Sequence, residues 1–341
     1  MNVETEAKTS TNVRARTRTI QVRALVTVVG ALIGITVIVC WRMLQVEAPQ
    51  NAEWLLAEVV AVNRDRLIVA VVVGMCLGVA GVLLRTATKN PLADPDIVGV
   101  NSGAAFGAVA ASAFSGNSGS LTLLPWALLG ATVAGAITVF FGLRGSATQS
   151  QQISVQRMVL LGIAVSALFS ALTSIALVLD EAQLATVLSW LSGKLAGVRL
   201  SEIWTALICL IILLPLMVMS GKQLDTLTAD EQVATAFGAK PALLRLLAIV
   251  GAIILIAPCV AATGPIGFLG LMAATAAHRV CGVNHRWALP VAGLLGAFVL
   301  LLADIVGQAV WAPAETPVGI ITAIAGVPVL LWGINHMSKK S

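Results

Sequence analysis

LIVAVVVGMCLGVAGVLL at residues 67–84 is an uncharged apolar run. After Arg85-Thr86-Ala87-Thr88 it gives way to the polar turn Lys89-Asn90-Pro91-Leu92-Ala93-Asp94-Pro95-Asp96. A second apolar run occupies 97–114. A helix needs about 20 mostly apolar residues to cross a bilayer. Two such runs joined by a short turn with two prolines predict a helical pair in a membrane. The runs are too long and too evenly apolar for the alternating strands of a barrel. The pattern recurs along the chain, with further candidate spans at 24–41, 123–143, 158–179, 203–220, 242–262, 266–281, 287–311 and 316–335. The expected fold is therefore all-α, a polytopic membrane bundle of about ten transmembrane helices.

Composition agrees. Of 341 residues, 58% are apolar and 11% charged, with a mean hydropathy of +0.95. A soluble domain carries roughly 25% charged residues, so most of this surface faces lipid. Residues 1–23 form a basic polar tail, 24–335 the membrane domain and 336–341 a short second tail. The run from Ala24 to Cys40 continues into Trp41-Arg42 with no small-residue cleavage site, so it reads as a retained first helix. With both termini in the cytoplasm, 16 of the 21 Lys and Arg fall on cytoplasmic segments, as the positive-inside rule requires. The net charge of +5 then reports orientation in lipid. It does not point to nucleic acid, for which basic residues would be interleaved with aromatics.

Enzyme chemistry finds little support. There is no GxxxxGK[ST] phosphate loop, no HExxH and no Gly-x-Ser-x-Gly, and the histidines (His278, His285, His336) stand apart from any paired carboxylate within a span. The five cysteines are scattered singly, without the spacing of a metal site, and read as small apolar packers. No cofactor or metal is expected. Glycines at 74, 78 and 81, and at 99, 103 and 107, recur on one helical face each, which lets helix backbones approach closely. Asp304 is the best candidate for a charge inside the membrane, and such a residue is a functional candidate by default. A hydrogen-bonding role at a helix end is the simpler account of it.

The loop Asn90-Pro91-Leu92-Ala93-Asp94-Pro95 closely resembles a signature of the FecCD permeases, the membrane subunits of bacterial ABC importers for iron–siderophore, haem and cobalamin. The resemblance runs from about Arg66 to Trp332. Trp190-Leu191-Ser192-Gly193-Lys194-Leu195 is similar to the family's Trp-Leu-x-Gly-Ser-Leu. Gly264-Pro265-Ile266-Gly267-Phe268-Leu269-Gly270-Leu271 is similar to Gly-Pro-Ile-Gly-Phe-Val-Gly-Leu. Leu302-Ala303-Asp304, Pro317 to Ala323, and Gly326-x-Pro328 resemble the C-terminal signatures.

The resemblance implies that the chain has no catalytic centre and is the permease of an importer for an iron–siderophore or similar large chelate. A haem or cobalamin importer is the alternative within the family. By the same resemblance its place is the bacterial cytoplasmic membrane, as a multi-pass protein in contact with lipid. The family's pattern also implies a separate ATP-binding subunit that hydrolyses ATP. It would dock on a cytoplasmic loop at about 221–241 that carries Thr228, Asp230, Glu231, Ala234 and Gly238. Thr228 is placed to cap a helix there, with Asp230 and Glu231 in its first turn. Arg66 is assigned by resemblance to docking an extracytoplasmic substrate-binding protein. Trp190, Gly193, Gly264, Pro265, Gly267 and Asp304 are candidates for the translocation path.

The chain departs from the family's pattern at three places. The family's Pro-His-x-x-Arg is Ala274-Thr275-Ala276-Ala277-His278, its Arg-Leu-Pro-Arg is Asn63-Arg64-Asp65-Arg66, and its arginine four residues after the Asp304 position is Gln308. These changes suggest a second, non-identical permease that retains the missing groups. Two other classes compete. An ion-coupled secondary carrier would need a mid-membrane acid and no ATPase, and a non-transporting scaffold would need neither.

Overall fold

The computed structural model describes residues 3–46, 53–115, 120–144, 155–179, 184–228, 240–311 and 317–338. Among them there are twelve α-helices, two 3-10 turns and no strand. The helices are α1 (Val3–Leu44), α2 (Leu56–Thr88), α3 (Val100–Ser115), α4 (Ser120–Arg144), α5 (Val155–Leu179) and α6 (Leu184–Leu191). They continue as α7 (Leu200–Met219), α8 (Gly221–Thr226), α9 (Pro241–Thr263), α10 (Leu269–Cys281), α11 (His285–Trp311) and α12 (Val318–Ser338). Each of the ten expected spans is a helix. Seven of them, in α1, α2, α4, α5, α7, α9 and α11, are long and apolar enough to cross a membrane unaided. α3 and α12 supply shorter apolar segments, and α10 is a helix of 13 residues. Prolines at 125, 215, 258, 290 and 328 sit inside helices, which membrane helices tolerate because neighbours satisfy the freed carbonyls.

α2 is the axis of the bundle. Its most apolar window is 83% buried, against 11% for α1, so α1 lies on the periphery with its aliphatic side chains turned to lipid. Lipid supplies no hydrophobic drive between helices, so close backbone contact must do that work. Gly74 of α2 faces Ala297 and Gly296 of α11, and Gly78 faces Ala292 and Gly293. A Cβ on Gly74 would lie 2.5 Å from the Ala297 Cα, and one on Gly78 would overlap the Ala292 carbonyl. One turn on, Gly81 meets the backbone of Gly270 in α10. α3 and α4 repeat the device where Gly103 meets Gly130 and Gly107 meets Trp126. The glycine faces legible in the sequence are thus the seams of the bundle.

α2 begins at Leu56, eleven residues before the expected span, and is 33 residues long. At 1.5 Å per residue it reaches about 50 Å, longer than the ~30 Å apolar core of a bilayer. Where described, residues 43–57 are the end of α1, a 3-10 turn at Glu53–Leu55 and the start of α2. α1 likewise extends back to Val3, so the tail expected at 1–23 is helical from there. Cys76, Cys259 and Cys281 are buried free thiols, Cys209 is half-buried, and Cys40 is exposed.

Candidate functional site

Four separated signature segments meet in the bundle, and the meeting starts where α2 ends. Lys89 adopts a left-handed conformation (φ 48°) and its N–H closes the helix onto the Thr86 carbonyl at 3.4 Å. The Asn90 side chain then accepts a bond from the Leu92 N–H at 2.9 Å, and the Asn90 carbonyl accepts one from the Ala93 N–H at 3.2 Å. This Asx turn is the reason for an asparagine before the proline. It carries Asp94 back into the bundle, where Asp94 Oδ2 accepts the backbone N–H of Phe268 at 3.0 Å. Phe268 immediately precedes α10 and is itself left-handed (φ 63°). A carboxylate at this point satisfies an orphan donor and suits the positive end of α10. The Asn90–Pro95 signature thus fixes the start of the helix that carries the Gly264–Leu271 signature.

The other two segments cross that one. The Lys194 N–H donates to the Thr263 carbonyl at 2.8 Å, and the Gly319 N–H to the Gly193 carbonyl at 3.1 Å. Gly193 (φ 70°) packs on the Pro265 carbonyl and Gly264 (φ 72°) on that of Trp190. Both need positive φ in a space with no room for a Cβ. Gly326 of α12 receives the Phe268 side chain. The residue types that looked like family decoration are therefore the contacts of one backbone crossing.

Beside the crossing lies an open cavity of about 660 Å³ between α3, α5 and α12, floored by Leu191, Ser192, Pro265, Gly267 and Gly319. Its walls carry Asn101 and Ser102 from α3, Ser170, Thr173 and Ser174 from α5, and aliphatic residues that include Ile320 and Ile324. Among the described residues, no charged or aromatic side chain lines it. The Ser170 hydroxyl donates to that of Ser102 at 3.4 Å, so α3 and α5 touch through hydroxyls. Thr173 and Ser174 donate back to carbonyls one turn earlier at 2.8 and 3.0 Å, which leaves their oxygens as acceptors toward the cavity.

Of the path candidates, Pro265 and Gly267 line this cavity. Gly193 and Gly264 shape the crossing behind it. Trp190 is buried and lines a smaller cavity of about 200 Å³ with Lys194 and Glu202. Asp304 lines neither of these two cavities and is held at the far end of the α2–α11 seam by Arg66, whose Nε and Nη2 bond its oxygens at 3.0 and 2.7 Å. The side chains are 14% and 3% exposed. A carboxylate so buried needs a cation, and the two-pronged arginine fits it. Gln308 Nε2 donates to the same carboxylate at 2.7 Å, and Arg42 of α1 donates to Gln308 Oε1. Arg66 is thus committed within the bundle. Its neighbour Asp65 accepts the Leu200 N–H at 3.3 Å and pairs with an exposed Arg64 at 2.9 Å.

At the opposite end of the seam is a cluster that the motifs did not reveal. Asp225 of α8 accepts from both the backbone N–H and the Nδ1 of His285, at 2.9 and 2.6 Å. The other ring nitrogen of His285 is 2.7 Å from the Thr86 hydroxyl. Arg85 donates to Thr275 at 3.2 Å, and the His278 ring stands edge-on to His285 at 5.7 Å. Two of the departures from the family pattern, at 275 and 278, thus lie around one histidine. Thr228 donates its hydroxyl to the Asp225 carbonyl at 2.6 Å, closing the turn after α8; the helix start expected beyond it lies outside the described residues. Asp230, Glu231, Ala234 and Gly238 lie outside them too. The hydroxyl row on α5 and the Asp225–His285 pair were the residues that sequence reading missed. A signal existed for the first, in hydroxyls at 166, 170, 173 and 174, a spacing that puts them on one helical face.

Comparison with known proteins gives one consistent result. The model of the FecCD transport family matches residues 22–335. A probable siderophore transport system permease protein of Bacillus subtilis is 36% identical over 278 residues, 82% of each chain. The ferric enterobactin transport system permease protein of Escherichia coli is 34% identical over 80% of each chain. The cobalamin import system permease protein of Halobacterium salinarum is 32% identical over 87% of this chain and 78% of its own. A solved structure described as an inward-facing conformation of a transporter assigned to the metal-chelate ABC type superposes with a TM-score of 0.79. It shares 28% identity and covers 92% of this chain and 99% of its own.

Proposed function

This chain belongs to the FecCD transport family and is a multi-pass membrane protein, and from that premise we propose that it is the permease of an ATP-driven importer for an iron–siderophore or a similar large metal chelate. The observation that carries the reading is the convergence of four signature segments, three of which floor one uncharged, 660 Å³ cavity. Such a wall of small side chains and hydroxyls offers a bulky ligand passage without a strong binding site. A second permease, a non-identical paralogue, closes the open side of the cavity. Relatives of this chain are named for siderophore, enterobactin and cobalamin transport; haem and cobalamin remain the alternatives for its cargo.

In this reading both termini are cytoplasmic, so the Asp225–His285 end of the seam faces the cytoplasm and the Arg66–Asp304 end faces out. The ATP-binding subunit docks on the loop at about 221–241 with Asp230 and Glu231, and hydrolysis occurs on that partner chain. The binding protein docks outside around Arg66, which acts there as one cluster with Asp304 and Arg42, two cations against one anion. Alternating access then needs two packings of the bundle that ATP stabilises unequally. An ion-coupled carrier is less favoured, because Asp304, the acid it would use, is neutralised by Arg66.

Purification of the tagged chain from mildly solubilised membranes, followed by identification of the partners and an ATPase assay, tests the reading. An ATP-binding subunit that co-purifies, and is shed by Asp230→Arg with Glu231→Arg, is the expected result. A chain that transports alone, without ATPase activity in any detergent, overturns it.

A further inference from the structure

α8 is only six residues long, yet it is fastened firmly at its end. Leu224 and Leu227 are buried to within 2% of full enclosure. One oxygen of Asp225 holds both the backbone and the ring of His285, the first residue of α11. His285 is fully buried. The Thr86 hydroxyl lies 2.8 Å from the Val82 carbonyl and 2.7 Å from His285 Nε2; with Nδ1–H given to Asp225, Nε2 of a neutral ring accepts from that hydroxyl. The series Asp225, His285, Thr86 joins three helices through side-chain contacts of 2.6 and 2.7 Å.

Beyond Thr86 the connection continues as packing. α2 and α11 touch backbone to backbone at Gly74 and Gly78, and the Arg66–Asp304 pair locks them again at the other end. Thr86 and Arg66 are 20 residues apart, about 30 Å along a helix. Two antiparallel helices stapled at both ends and in steric contact between have little freedom to slide.

We infer that Asp225, His285 and Thr86 form the tie through which displacement of the segment after α8 reaches the α2–α11 pair, and so act as positioning residues for transport. The inference rests on the importer reading, since it supposes that a nucleotide-driven partner moves that segment. The tie makes the α2–α11 pair follow α8 as one body, which leaves the helices around the cavity to move against it.

Thr86→Val keeps the shape and removes the hydroxyl. His285→Asn keeps an amide near the Nδ1 position, within reach of Asp225, but falls short of Thr86; His285→Gln does the reverse. Each is assayed in vesicles as the full chain with the second permease, the ATP-binding subunit and the binding protein. The expected result is ATP hydrolysis within about twofold of the unmodified complex, with uptake per ATP lowered about tenfold or more by Thr86→Val and His285→Asn. If uptake per ATP is unchanged in both, Asp225–His285 is a helix cap only and the inference fails. If a variant does not assemble, spin labels on the exposed Lys222 and Lys89 of otherwise unmodified protein decide the matter. Their separation is expected to stay constant between nucleotide-free and ATP-bound states, and a change of more than ~5 Å, one helical turn, overturns the tie. An unmodified complex that neither binds nor hydrolyses ATP sinks the importer reading itself, a result distinct from either outcome above.

Discussion

The α2–α11 seam and the wall of the cavity are built from the same stock of small residues, used in opposite ways. Along the seam, glycines press backbone on backbone and charged groups close both ends. Around the cavity, Gly267 has nothing within 4 Å of where a Cβ would stand, and Ser170, Thr173 and Ser174 line the wall. Small size gives proximity where two helices face each other and room where they do not. The sequence alone does not distinguish the two, because the difference lies in what stands opposite.

Substitutions can break that comparison or sharpen it, and the largest effect belongs to the seam. Gly78→Leu puts a side chain where the Ala292 carbonyl already sits, with backbone on both sides and nothing able to swing away. Loss of folded, monodisperse protein in detergent is expected, and size-exclusion chromatography reads it. Next comes Asp304→Asn, which takes the carboxylate's charge from a largely buried Arg66; a loss of roughly 3–5 kcal/mol is expected for one half of such a pair. Adding Arg66→Gln should restore much of it in thermal unfolding of the purified protein. If the double variant is no better than the single, Arg66 has another compensating partner. Asp94→Asn weakens the bond that fixes the start of α10, a loss of about 1–2 kcal/mol, and hydrogen exchange at Phe268 should rise. The smallest effect on stability is expected at the cavity. Ser170→Trp should change it by less than about 0.5 kcal/mol, as substitutions into open space do, while blocking uptake. A large destabilisation there would show the cavity to be packed space.

The helices were legible because apolar length is the strongest signal a membrane sequence carries. The glycine seams were legible for the same reason, since spacing of three or four residues needs no tertiary knowledge. Asn90 to Pro95 could be singled out by composition, but its task could not: Asp94 acts on Phe268, 174 residues away. The same distance in sequence hid the partner of Asp304, read as a lone intramembrane charge while Arg66 stood 238 residues earlier. His285 was passed over because its carboxylate partner, Asp225, lies 60 residues before it. Polar pairs between helices leave no periodic trace in either member.

α10 has 13 residues, about 20 Å of helix against a ~30 Å apolar layer. It therefore has no claim on the bilayer as a free-standing segment while the chain is being made. What holds its first turn at the proper depth is the Asp94 carboxylate and the bare backbone of Gly81, both laid down nearly two hundred residues earlier. The order of synthesis thus matters: the early helix pair is a template awaiting a late guest, and membrane insertion of this chain cannot be a queue of independent hydrophobic decisions. A nascent chain stalled only once α10 has cleared the ribosome should already hold α10 against α2, while the same segment fused behind an unrelated leader should slip out of the membrane.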